Sequence, residues 1–149
     1  MALAKWLMGG LAGAAVGAVI WILVSYYLNA EVGYVAWGIG ILTGLGVRLA
    51  SRYDDTPPSG IESIVAATIA LLTLLAAKFL VISIQIDEMV AGANAVLENG
   101  ENAALDLNQI KLEAFIGSFG LFDLLWVFLA VSSAYQIARE DEAATASGE

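Results

Sequence analysis

The sequence predicts an all-α fold, a polytopic transmembrane bundle of four spans with both termini in the cytoplasm. Three observations carry that expectation: four long apolar stretches at 6–28, 32–50, 61–84 and 114–137, glycine at helical spacing in the first two, and a strongly apolar composition. A helix needs roughly 20 apolar residues to cross the hydrocarbon core of a bilayer, and each stretch approaches or exceeds that length. With 60% hydrophobic residues and a mean hydropathy of +0.80, the 149-residue chain holds more apolar side chain than one water-soluble core of this size encloses.

Charge and residue usage narrow the function classes. The 15 acidic and 6 basic residues give a formal charge of −9, with most acids outside the apolar stretches. Nucleic acid and anionic head groups both require clustered Lys and Arg, so neither is expected as a main partner. The chain has no cysteine and no histidine, which removes disulfides, thiol nucleophiles and imidazole acid-base chemistry.

The first span opens with Lys5 before a long apolar run, as a signal peptide does. Its run exceeds an ordinary signal core, and Leu28-Asn29-Ala30 is a poor small-x-small cleavage site, so a retained helix is expected. Only Asn29-Ala30-Glu31 separates it from the second span, which forces an antiparallel hairpin. In the following loop Pro57-Pro58 cannot continue a helix, and Ser59 with Glu62 makes a capping box for the third span. That helix finds no proline or clear stop after Ile84, and an amphipathic continuation as far as Leu97 is expected. Asp106 with Gln109 is a second capping signature, opening the segment that becomes the fourth span. The tail 140–149 is acidic, small and expected to be disordered.

Cation placement sets the expected orientation. Lys5, Arg48, Arg52 and Arg139 flank one set of span ends, so the positive-inside bias puts both termini and the Pro-Pro loop in the cytoplasm, with Glu31 and the acidic segment 85–113 outside. Tyr26, Tyr27, Tyr34, Trp37 and Phe115 would form one interfacial belt, and Trp6, Tyr53 and Tyr135 the other.

Two glycine stripes stand out. Gly9, Gly13 and Gly17 recur every fourth residue on the first span, and Ala36, Gly40 and Gly44 form a stripe on the second. Small residues at that spacing let backbones approach closely, which matters where lipid supplies no force pressing helices together. Either both stripes pack the hairpin against itself, or one is left for another subunit. The run Glu31-x-Gly33-Tyr34-x-Ala36-Trp37-Gly38-x-Gly40-x-x-x-Gly44-x-Gly46-Val47-Arg48, after a glycine-rich first helix, resembles a group of small bacterial integral membrane proteins of uncharacterised function. Phe119-Gly120-Leu121-Phe122-Asp123-Leu124-Leu125, before Ala130 and Ala134-Tyr135, is similar to the last helix of the same group. The resemblance covers less than half of the chain and implies a small multi-pass protein of the bacterial inner membrane, with no activity or ligand attached.

Asp123 is expected inside the fourth span, where a carboxylate costs about 2.5–3.5 kcal/mol on insertion scales and so calls for a partner or a proton. Lys78, near the outer end of the third span, is the candidate partner; Ser118, Tyr34 or a backbone group is the other route to satisfying it. A proton or ion relay through Asp123 is a further option, but transport sites gather several polar groups at discontinuous helices, and Thr43, Thr68 and Thr73 are scattered. Glu31 pairs with Lys78 or favours the dipole at the start of the second helix. Asp87, Glu88, Glu98, Glu101 and Asp106 match no twelve-residue calcium loop, so no metal or cofactor is expected.

Three function classes follow. The first is a structural or accessory membrane protein that packs through its glycine faces into a homo-oligomer or a larger membrane complex. The second is a small channel or transporter subunit with Asp123 in an oligomeric pore. An enzyme is the weakest, since Ser132, Ser133 and Asp123 show no nucleophile-base spacing.

Overall fold

The computed structural model describes residues 2–28, 33–52, 60–96 and 107–146, the side chains at 94–96 and 140–146 excepted. Five helices follow in order: α1 Ala2–Leu28, α2 Gly33–Ser51, α3 Ile61–Val96, α4 Leu107–Gly117 and α5 Leu121–Ala146. Four of them, α1, α2, α3 and α5, are long and apolar enough to cross a membrane. Glu31, the Pro57-Pro58 turn, the capping residues Ser59 and Asp106, and the acids Glu98 and Glu101 lie outside the described residues.

Each long helix buries one stripe and exposes apolar side chains elsewhere. On α1 the buried residues are Trp6, Gly10, Ala14, Gly17, Trp21 and Ser25, steps of three and four that mark a single face at 3.6 residues per turn. Leu11, Val19, Leu23 and Leu28 on its other faces are exposed, the pattern of a helix solvated by lipid rather than water. Burial on α2 runs through Ala36, Ile39, Gly40, Thr43, Gly44 and Val47. Its one interior hydroxyl, Thr43 Oγ1, donates to the Ile39 carbonyl at 2.7 Å, so no polar atom of that side chain is left unpaired between helices. The chain enters α3 through Gly60, whose φ of 73° lies in the left-handed region that glycine occupies without strain.

The four long helices form a ring in which α1 touches α2 and α3, α5 touches α2 and α3, and α2 meets α3 across the middle. Two apolar layers fill it. Trp21, Ala36, Ile39, Leu74, Ala77 and Ala130 make one. Trp6, Val47, Ala66, Ala70, Ala134 and Ala138 make the other. Alanine and glycine dominate the contacts of α2 and α5 because, in lipid, close backbone approach and dispersion replace the hydrophobic force.

Two expectations need correction. The fourth span is not one helix over 114–137: the chain breaks between Gly117 and Leu121, and the membrane-length helix starts at Leu121. The residues before the break form α4, a separate 11-residue helix that packs on α3 alone among the described elements. The tail is not disordered throughout, since α5 runs on to Ala146; extending an existing helix needs no new nucleus, and Ala143, Ala144 and Ala146 have the highest helix propensity. The Trp37 indole Nε1 donates to Ser133 Oγ on α5 at 2.7 Å, a polar bond between two apolar helices.

Candidate functional site

At the break in the fourth span a buried charge, non-helical backbone and a cavity come together. The break is built from the sequence Gly117-Ser118-Phe119-Gly120, which ends α4 and starts α5. Ser118 N–H still bonds the Ala114 carbonyl at 2.9 Å, and Ser118 Oγ donates to the Phe115 carbonyl at 2.8 Å, closing the last turn of α4. At the other side Gly120 is the N-cap of α5. Asp123, three residues later, reaches back so that Gly120 N–H donates to its Oδ2 at 2.8 Å, half of a capping box, with the carboxylate beside the positive pole of the helix.

Lys78 closes the gap from α3. Only 5% exposed, it donates from Nζ to Asp123 Oδ1 at 2.9 Å and to the Ser118 carbonyl at 3.2 Å. Its ammonium also lies 4.9 Å from the centre of the Phe119 ring, within cation–π range. One cation therefore serves the carboxylate that caps α5 and a carbonyl freed at the end of α4. Non-helical backbone within a membrane persists only where such groups are satisfied internally. An aromatic ladder holds the break laterally: Phe79 and Phe115 meet edge-on at 5.6 Å, and Phe115 and Phe119 at 5.1 Å.

Beside the pair lies a cavity of about 230 Å³ walled by Trp21, Phe119, Phe122, Trp126 and Leu74, with Lys78 and Asp123 contributing its polar part. Chemically the site offers a neutral ion pair, two indoles and two phenyl rings. Lys78 donates to Asp123 and Ser118 and faces the Phe119 ring, and each Asp123 oxygen accepts one of the bonds described.

The sequence-predicted residues thus divide into two groups. Asp123 and Lys78 are brought together as an ion pair. The six packing residues meet neighbours within the chain: a Cβ on Gly9 would run into the Gly46 carbonyl, one on Gly13 into that of Leu42, and one on Gly17 into the Ile39 backbone. On α2, a Cβ on Gly40 would meet the Ala130 carbonyl and one on Gly44 that of Ala134, while Ala36 is buried in the Trp21 layer. Each stripe is consumed at an internal contact, the first between α1 and α2 and the second between α2 and α5. Missed in the sequence were the helix break, with Ser118 and Phe119 as partners of Lys78, and the Trp37–Ser133 bond. The break had a signal: glycine at both ends of a four-residue run and an acid three residues after the second glycine.

Four of the described helices have the length and composition of membrane spans. Compared with family models, with curated proteins and with solved structures, the chain matches none.

Proposed function

We propose that the protein is a structural or accessory integral membrane protein of the bacterial inner membrane, crossing it four times with both termini and the 51–60 loop in the cytoplasm, and that it assembles with copies of itself or into a larger membrane complex. One observation carries the assembly. The stripes are used inside the monomer, yet where α1 and α2 cross they leave an open groove of about 530 Å³ on the outside of the hairpin, bordered by Gly9, Ala12, Gly13, Leu42, Leu45 and Gly46. Its lining is almost wholly apolar and its floor is glycine, so another helix can approach the backbone there, the arrangement that drives association in lipid. The orientation is supported by the packing of Trp6 with Val47, Ala66 and Ala138, which gathers Lys5, Arg48, Arg52 and Arg139 near one end of the bundle.

The test is the mass of the particle purified in mild detergent. The parent chain should migrate as a defined assembly, and Ala12→Phe, which fills the groove from an exposed position, should release folded single chains. A parent that migrates as a lone monomer, or an Ala12→Phe assembly of unchanged mass, removes this reading.

A second reading, a small channel or transporter subunit, is favoured by the helix break and the cavity that Asp123 lines, since transport sites are built at discontinuous helices. It requires an ion- or proton-dependent flux in reconstituted vesicles that Asp123→Asn abolishes while the fold persists.

A further inference from the structure

We propose that the groove between α1 and α3, at the end of the bundle carrying Leu28 and Ile84, is a binding site for the ammonium head group of a zwitterionic phospholipid. The inference needs the helices to lie in a bilayer and does not depend on the assembly. The groove encloses about 380 Å³ and includes Ser25, Tyr26 and Tyr27 of α1 and Val81, Ile84, Gln85 and Glu88 of α3. Along α3 the apolar run ends at Ile84 and the polar residues Gln85, Asp87 and Glu88 begin, so the groove spans the change from hydrocarbon to head-group chemistry, the zone where tyrosines concentrate.

Charge decides the kind of head group. Glu88 is exposed and makes no ion pair among the described residues, and Lys111, a cation of the neighbouring α4, is held by Asp87 at 2.7 Å. No Lys or Arg lines the groove, so a head group carrying phosphate alone would meet an unopposed carboxylate. An ammonium placed there gains a charge-assisted bond to Glu88 and the faces of two tyrosines. Tyr26 and Tyr27 stand edge-to-face, centroids 5.8 Å apart at 81°, and both side chains are exposed, so ring surface outside their mutual contact is open to a cation. The phosphate then falls toward the Gln85 amide and the tyrosine hydroxyls as donors, and the first methylenes lie against Val81 and Ile84. Ser25, in the wall of the groove, is 1% exposed and its hydroxyl has no hydrogen-bond partner, an unsatisfied polar group beside the site.

Native mass spectrometry of the full chain tests this. The protein in mild detergent is mixed with equal amounts of phosphatidylethanolamine and phosphatidylglycerol of identical acyl chains. One phosphatidylethanolamine per chain should survive at collision energies that strip phosphatidylglycerol, and free ethanolamine at the same concentration should not displace it. Glu88→Gln should lower the retained fraction at least about tenfold, the loss of one charge-assisted bond. Tyr27→Leu should also lower it, and Tyr27→Phe, which keeps the ring face, should restore most of it. Equal retention of the two lipids by the parent, displacement by free ethanolamine, or undiminished retention in Glu88→Gln overturns the proposal. Should Glu88→Gln fail to fold, the Tyr27 pair decides alone, with equal retention in Leu and Phe variants counting against it.

Discussion

At the scale of single residues, the Lys78–Asp123 pair sets the sharpest expectation. Lys78 is buried, lies six residues before Ile84 and so about 9 Å along the helix from the end of the apolar run, and holds two groups of the break. Removing one partner leaves an uncompensated charge, which costs about 3–5 kcal/mol in buried pairs, whereas removing both costs less. Asp123→Asn and Lys78→Met should each lower the unfolding midpoint in detergent, with Lys78→Met the more severe because it also frees the Ser118 carbonyl. The double variant should recover part of the loss, and a double-mutant cycle with no coupling would show that the two side chains act independently. This pair was legible in the sequence because both residues are charges in otherwise apolar runs. Ser118 was not, because its role is played by a backbone carbonyl, and a carbonyl is released only when the helix ends.

At the scale of elements, glycine spacing told which faces pack but not which partner they meet. Gly38 and Gly40 make the contrast measurable. A methyl on Gly38 would meet nothing, while one on Gly40 would strike the Ala130 backbone of α5. Gly38→Ala should therefore be neutral or stabilising by about 0.5–1 kcal/mol, from the helix propensity of alanine. Gly40→Ala should destabilise by about 1–3 kcal/mol, the usual cost of overpacking. Thermal unfolding of both variants in the same detergent checks the pair, and equal shifts would mean that the α2–α5 contact is looser than described. The expected single span over 114–137 hid the break because hydropathy averages over a window: Gly117, Ser118 and Gly120 are too few and too mildly polar to interrupt the apolar run. Helix start chemistry, glycine followed three residues later by an acid, carried the information that hydropathy lost.

At the scale of the whole molecule, the positions of the cations lead to a topology that fusions can read. Reporters placed after Arg139 and within the 51–60 loop should report the cytoplasm, and one near Asn99 should report the outside. External signals at both Asn99 and the end of α5 would mean that one of the four helices does not cross. The four membrane-length helices were legible from composition and length, since apolar runs near 20 residues have few other uses. Ring order was not, because the adjacency of α5 to α2 and α3 rests on which small residues face one another, such as Gly44 against Ala134, and no local pattern names a distant neighbour.

The 36 residues of α3 make it a rod of about 54 Å, against a hydrocarbon core of about 30 Å. In the proposed crossing, the part of that rod after Ile84, about a third of it or roughly 18 Å, stands clear of the core, braced by α4 through the Lys111–Asp87 pair. A stiff rod pivoting in a thin sheet is a lever: each degree of tilt below becomes sideways travel above. Membrane helices adjust to bilayer thickness in part by tilting, and a tilt of about 20° would swing the arm by about 6 Å. Bilayer thickness is thereby converted into the position of the tip. A spin label at Ala93 should shift its depth and its distance from a label on α1 between thin and thick bilayers, and a fixed tip would show that the rod does not pivot.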